Sequence, residues 1–374
     1  MNHTILNIDK TNWKPVKFGD VVAEPKEICK DIVAEGIEHV VGLEHVDTGD
    51  LHLRKSATIE ESTTFSKKFR KGDVLFGRRR AYLKKAAQAD FDGICSGDIT
   101  VFRVKKELSS ALLPFIVNND KFFDYAVKHS AGGLSPRVKF KDLANYEFLL
   151  PPKAEQARLA ELLWAIDEVV EKDKLVLAKI KRSDVCQLKH YFYDDQKSDR
   201  IKLKNIVSLK KGKKPNTLNE TGEGLPYCTA KYLRTNEIES VVPESTISKA
   251  FVIDDTDIII LWDGSNAGEM LRGKKGVLAS TMCKLVLKDK SFNMDFVFQF
   301  LRFRSNDIRR ATVGSAIPHV DPGMIENIEI PVLEMKNQKS IVALFNNILS
   351  NINLLDSKIS ASQSLQKSLI NEIF

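Results

Sequence analysis

Two stretches carry apolar residues at steps of three and four over a length that neither glycine nor proline interrupts. In the first, from Ala154 to Phe192, the stripe is Leu159, Leu163, Ile166, Val170, Leu177, Ile180 and Leu188, broken by Asp173 and Asp184. In the second, from Lys336 to Phe374, it is Ile341, Leu344, Ile348, Ile352, Leu355, Ile359, Leu365 and Leu369. This spacing predicts two long helices with coiled-coil seams, each about 60 Å long at 1.5 Å per residue. Pro151-Pro152 and Pro331 end whatever precedes them.

The remaining sequence has a different rhythm. Short runs such as Asp73-Val-Leu-Phe76, the alternating Ile99-Thr-Val-Phe-Arg-Val104 and Asp257-Ile-Ile-Ile-Leu-Trp262 predict strands, while 112–128 and 295–311 predict helices. Each long helix therefore follows a mixed α/β globule. A polar hinge, 194–199, separates the halves.

The second half restates the first at a nearly constant offset. Gly132 and Pro136 recur as Gly314 and Pro318, Val138 as Val320, and Leu143, Asn145 and Glu147 as Ile325, Asn327 and Glu329. The register continues through Gln156 and Gln338 to Phe192 and Phe374, and Val16-Lys-Phe18 parallels Ile201-Lys-Leu203. Self-similarity on this scale implies a tandem repeat. An isolated striped helix must bury its seam, so the two are expected to pack as an antiparallel coiled coil, giving a rod with a globule at each end and a pseudo-twofold axis. The expected fold is α+β, with boundaries at 1–150, 151–195, 196–332 and 333–374.

Composition changes this picture little. Across 374 residues, 43% hydrophobic and 29% charged are ordinary globular values. With no membrane-length apolar run and no basic-then-apolar start, the expected compartment is the cytoplasm. Cys29, Cys95, Cys186, Cys228 and Cys283 have neither zinc nor disulfide spacing and are expected to be buried or partly buried thiols. A net charge of +7 permits nucleic-acid binding without requiring it.

No phosphate loop, dinucleotide fingerprint or methyltransferase motif is present. Asp263-Gly-Ser-Asn-Ala-Gly268 reads as a hairpin loop. Glu334-Met-Lys336 resembles a nuclease Glu-x-Lys, but its aspartate would have to come from Asp321, and the glutamate sits where an acid caps a helix. His39, His45 and His52 have no zinc spacing, and no nucleophile, base and orienting group come together. The expectation is a chain with no catalytic residues, metal or bound cofactor.

Positive charge gathers in loops. Gly77-Arg-Arg-Arg-Ala-Tyr-Leu-Lys-Lys85 follows a strand, Lys210-Lys-Gly-Lys-Lys214 forms a second cluster, and Lys231-Tyr-Leu-Arg234 sets a tyrosine between cations. Such loops suit phosphates and guanine edges, or are simply solvated. The paired turns ending in Arg137 and His319 each place a hydrogen-bonding residue at the same point of the repeat. Candidate DNA-binding residues are Arg78, Arg79, Arg80, Tyr82, Lys84, Lys85 and Arg137 in the first half. In the second they are Lys213, Lys214, Lys231, Tyr232, Trp262, Ser265, Asn266 and His319.

Val41-Gly-Leu-Glu-His-Val46, Gly72-Asp-Val-Leu-Phe-Gly77 with Tyr82-Leu83, Phe91-Asp-Gly-Ile-Cys-Ser96 and Leu150-Pro-Pro-Lys-Ala-Glu-Gln156 resemble the specificity subunit of type I restriction-modification systems. The resemblance implies two target recognition domains, 1–150 and 196–332, and two conserved spacer helices. It further implies a non-catalytic subunit that reads a bipartite site on double-stranded DNA. Two modification subunits would methylate an adenine in each half with S-adenosylmethionine, and a restriction or translocase subunit would join them. A rod of about 60 Å spans on the order of 18 base pairs, room for two half-sites and a gap. The second helix entry departs from the pattern, with one proline and with Asn337 before Gln338. The rival readings are a self-contained methyltransferase or nuclease and a coiled-coil scaffold that binds no DNA.

Overall fold

The computed structural model describes residues 8–58, 64–193, 198–247, 251–314 and 318–374. Most of the expected hinge, residues 194–197, lies outside them. The chain forms two compact units, one of residues 1–175 with 356–374 and one of residues 176–355.

The first unit contains, in order, β1 (Lys14–Lys17), α1 (Phe18–Val21), β2 (Val22–Ala23), β3 (Val40–Val41), β4 (Lys67–Phe69), β5 (Val74–Gly77), β6 (Ala86–Gln88), β7 (Gly93–Cys95) and β8 (Ile99–Val104). α2 (Leu113–Val117), α3 (Asp120–Lys128), α4 (Phe140–Leu143) and β9 (Glu147–Leu150) follow, and α5 (Lys153–Phe192) begins here. The strands make a four-stranded sheet in the order β2-β8-β5-β6, a three-stranded sheet β3-β7-β4 and the pair β1-β9. β3 runs parallel to β7; the other pairs are antiparallel. The core between the sheets holds Val41, Leu53, Phe69, Leu75 and Val101. A second core packs Phe18, Phe76, Phe102 and Phe122 with the start of α5 (Leu159, Leu163) and the chain's last turn (Leu369, Ile373).

The second unit repeats the plan with β10 (Arg200–Lys202), α6 (Leu203–Ile206), β11 (Val207–Lys211), β12 (Leu225–Cys228), α7 (Ala230–Thr235), β13 (Val241–Val242), β14 (Val252–Ile253), β15 (Ile258–Leu261), β16 (Met270–Arg272), β17 (Gly276–Leu278) and β18 (Met282–Leu287). α8 (Met294–Phe303), α9 (Ser305–Arg310), α10 (Pro322–Glu326) and β19 (Glu329–Pro331) follow, and α11 (Met335–Ile373) begins here. Its sheets are β11-β18-β15-β16, β13-β12-β17-β14 and β10-β19. β12 and β17 are parallel, matching β3 and β7.

Both predicted shorter helices are broken. The 112–128 pattern divides at Asn119, whose side chain caps α3 by accepting from the Lys121 N–H and donates to the Ile370 carbonyl at 3.0 Å. The 295–311 pattern divides at Arg304. Asparagine competes with the helix by bonding backbone locally, which periodicity cannot register.

The long helices run as predicted, and the polar breaks in the first have partners. Within the first unit Asp173 pairs with Lys358 at 3.0 Å and Asp167 accepts from Gln366 at 3.1 Å, so contacts descend α5 as they climb α11 and the segments are antiparallel. In the second unit Arg302 pairs with Asp184 and also donates to Gln299. One seam position is corrected. Leu365 is exposed and Gln366 occupies the buried place, because the buried Asp167 carboxylate requires a donor that leucine lacks.

Four of the five cysteines are buried, and burial pushes the thiols of Cys95, Cys228 and Cys283 up to about 12. Cys186, expected to be at least partly buried, is exposed. No helix among the described residues is long and apolar enough to cross a membrane.

Candidate nucleic-acid interface

The arginine loop leaves the buried β5 and meets the glycine-proline turn, far away in sequence. Arg80 N–H donates to the Pro136 carbonyl at 2.8 Å, Val138 N–H to Arg78 at 3.0 Å, and Arg137 exchanges bonds of 2.9 and 3.0 Å with Ala131. Arg79 and Arg137 face each other as a bridge. Arg80 and Lys84 adopt positive φ, 52° and 50°, and bracket the short turn that carries Tyr82. For residues with a Cβ such conformations cost about 1 kcal/mol or more and persist only where surroundings hold them, here the turn and its backbone bonds.

Asp98, just before β8, joins the cations from the two loops. Its Oδ2 takes Arg79 Nη1 at 3.1 Å and its Oδ1 takes Arg137 Nε at 2.7 Å. Burial raises the Asp98 pKa, but the bonds from Arg137 and Arg79 outweigh it and the carboxyl lies below its usual value. Ser135 accepts from Arg79 Nη2 at 3.1 Å and from Arg80 at 3.5 Å.

The other candidates of the first unit divide by their partners. Arg78 donates through Nε to the Val138 carbonyl, Lys84 pairs with Asp120 at 2.5 Å, and Lys85 donates to the Leu43 carbonyl at 2.9 Å. These three brace the loop. Arg80 and Tyr82 are exposed, Tyr82 by 54%, and Leu134 stands 96% exposed at the tip of the turn.

The second unit has the same backbone ladder and different side chains. Gly264 N–H donates to Pro318, Val320 N–H to Trp262, and His319 exchanges bonds with Val313, each repeating a bond of the first unit. The centre of this turn, residues 315–317, is outside the described residues. Asp263 faces His319 and pairs with Lys211 at 2.9 Å, which brings the lysine cluster to the 262–269 loop. Lys213 lies over the Phe251 ring at 5.9 Å, and Lys214, Ser265, Asn266 and His319 are exposed. Arg234 binds Glu269 and ties α7 to the same loop. On α7, Lys231 pairs with Glu237 and Glu239, and Tyr232 is half-buried beneath Lys274.

Trp262 is corrected. It is 7% exposed and packed with Ile260, Phe296 and Phe300, so its ring fills the core and only its backbone serves the loop. Sequence reasoning also missed Asp98 and Glu269. No local pattern marks them, because their partners lie in other loops.

The remaining chemical candidates are dispersed. His39 bonds Ser56, His45 accepts from the Gly42 N–H, and His52 bonds Asp167 at 2.6 Å. Asp321 caps α10 by accepting from the Gly323 N–H. No group of three or more metal-binding side chains occurs among the described residues.

The family model described as the type I restriction modification DNA specificity domain matches twice, over residues 10–182 and 196–362. The MjaVIII specificity subunit of Methanocaldococcus jannaschii is 34% identical over 46% of this chain and 41% of its own length. The EcoDI specificity subunit of Escherichia coli is 29% identical over 43% and 37%. The matched segment thus spans less than half of each relative. Among solved structures, the S subunit of a type I restriction-modification system from M. genitalium aligns over 99% of this chain and 98% of its own at a TM-score of 0.65 and 16% identity. A chain from a study of assembly and conformational transition of a type I R-M system aligns over 97% and 96% at 0.58 and 20%. These two likenesses establish the fold. With two copies of its domain covering most of the sequence, the chain belongs to the type I restriction modification DNA specificity domain family.

Proposed function

We propose that this chain is a non-catalytic DNA-specificity subunit that reads a bipartite duplex site, one half with each copy of its domain, and directs adenine methylation there by partner subunits. The observation that carries the proposal is the shared ladder between the strand-end loop and the glycine-proline turn. The backbone bonds repeat, while the residues they display are Arg79, Arg80 and Arg137 in one unit and Asp263, Gly264 and His319 in the other. A common frame with different chemistry suits two readers of different sequences.

In this reading residues 1–150 and 196–332 are target recognition domains and 151–195 and 333–374 are spacers. Exposed Arg80, Lys213 and Lys214 meet phosphates, and Tyr82, Arg137, Ser265, Asn266 and His319 face the grooves. Methylating a paired adenine requires flipping it into a pocket. We assign that pocket and S-adenosylmethionine to modification subunits, and DNA translocation and cleavage to a restriction subunit.

Selection of duplexes from a random pool, with the full chain bound to its modification subunits, should return two specified segments separated by an unspecified gap. Return of no sequence, or of one uninterrupted segment, overturns the proposal. Cleavage by the purified chain with magnesium alone, or methylation with S-adenosylmethionine alone, would favour an enzyme in its own right.

A further inference from the structure

Arg137 is held unlike its bridge partner Arg79. Its Nε donates to Asp98, and among the described residues no other side-chain bond engages it, although its side chain is 46% exposed. Arg79 is the opposite case. Its Nη1 is taken by Asp98 and its Nη2 by Ser135, so its outer edge is committed within the protein.

The backbone beneath Arg137 is also fixed. It exchanges two hydrogen bonds with Ala131 on one side and bridges Arg79 on the other. A guanidinium on a pinned backbone, tied at Nε by a carboxylate, keeps few rotamers. Its two terminal nitrogens become a fixed pair of donors, and less entropy is lost when a ligand accepts from both.

Two partners fit such a pair, the O6 and N7 atoms of guanine and the two oxygens of a phosphate. Asp98 decides between them. A carboxylate at 2.7 Å cancels part of the charge that attracts a phosphate, and leaves intact the donor geometry that a neutral base edge needs. In the second unit the equivalent residue is His319, and the acid facing it, Asp263, is paired with Lys211 instead.

We infer that Arg137, buttressed by Asp98, reads a guanine in the major groove of the half-site bound by the first unit, and that Asp98 and Arg79 are positioning residues for it. This rests on the DNA-reading function proposed above. It implies a guanine in one half-site whose recognition depends on a single side chain.

The test is duplex selection by the complex carrying wild-type chain, Arg137→Ala, Arg137→Lys or Asp98→Asn, with thermal melting to confirm that each variant folds. The expected result is that Arg137→Ala and Arg137→Lys each lose about 10- to 100-fold of discrimination at one guanine position and leave the others unchanged. Arg137→Lys keeps the charge and loses the paired donors, so its total affinity should fall only about 3-fold. Asp98→Asn should relax the same position by about 3- to 10-fold, a readout that general destabilisation would spread over the whole site. An unchanged sequence preference in both Arg137 variants, or a preference retained by lysine with only a weaker salt dependence in the alanine variant, overturns the inference and leaves the two-part reading standing. A wild-type complex that selects no sequence overturns that reading and the inference with it.

Discussion

Gln156 and Gln338 hold the two long helices to their units by the same three hydrogen bonds. Gln156 accepts from Ser109 N–H at 2.9 Å and donates to the carbonyls of Glu107 and Pro151 at 3.1 and 3.0 Å. Gln338 accepts from Asn293 N–H at 2.7 Å and donates to Ser291 and Leu333 at 3.0 and 2.8 Å. Both side chains are buried, and each satisfies loop groups that would otherwise be unpaired. The second helix entry keeps this lock although it lacks the second proline and the preceding glutamate.

Replacing either glutamine with alanine should therefore destabilise its unit by about 2–3 kcal/mol, because one donor and two acceptors lose their partner in a buried place. Urea unfolding measures it. A loss below about 0.5 kcal/mol in both variants would show that water takes over these bonds.

Arg103 should matter to stability far more than a surface cation. It donates to both oxygens of the buried Asp73 at 2.8 and 2.6 Å and to Glu27 at 2.6 Å. Arg103→Met strands a buried carboxylate and is expected to cost about 3 kcal/mol in chemical denaturation. The double variant with Asp73→Asn should recover part of that loss.

The bond from His52 to Asp167 predicts a pH dependence. It raises the His52 pKa above its ordinary 6.5, against the opposing effect of burial. A raised folded pKa means stability fully present below about 6.5 and lost as pH climbs through the folded value. Groups facing this pair include Gln366 on α11, Arg54, Asp50 and, further along α5, Glu171. The difference in melting temperature between wild type and His52→Gln should be larger at pH 6 than at pH 9. A difference independent of pH would remove the charge from the account.

Exchanging residues 14–150 for the matching segment of another specificity subunit should change one half of the methylated sequence and leave the other as it was. Mapping methylated adenines in a host carrying the chimera reads this out. A change in both halves, or in neither, would contradict independent reading by the two domain copies.

Arg80 and Lys214 offer a separate check on electrostatics. Each alanine variant should weaken duplex binding almost equally for all sequences and reduce the slope of log affinity against log salt by about 0.9. An unchanged slope would make that residue a solvated cation.

The legible part of this protein was the part encoded by period and punctuation. Strand β8 has the bounds its alternation predicted, and the long helices begin and end within a residue or so of the striped segments. The break before α3 was hidden because a period does not register a local cap: Asn119 accepts from the Lys121 N–H, and its amide is held by the Ile370 carbonyl of α11, remote in sequence.

The sequence by itself determined the tandem repeat, the two striped helices, the family resemblance and the loops that carry charge, because each is written in local spacing or in self-similarity. Only the tertiary structure decided which of those charges face outward. Lys84 and Lys85 are drawn into internal bonds, Trp262 into the core, and Arg79 and Arg137 onto the two oxygens of Asp98. The reason is physical. A side chain's partners are set by which loops the folded backbone brings within about 3 Å, and residues separated by tens of positions leave no periodic trace of that meeting.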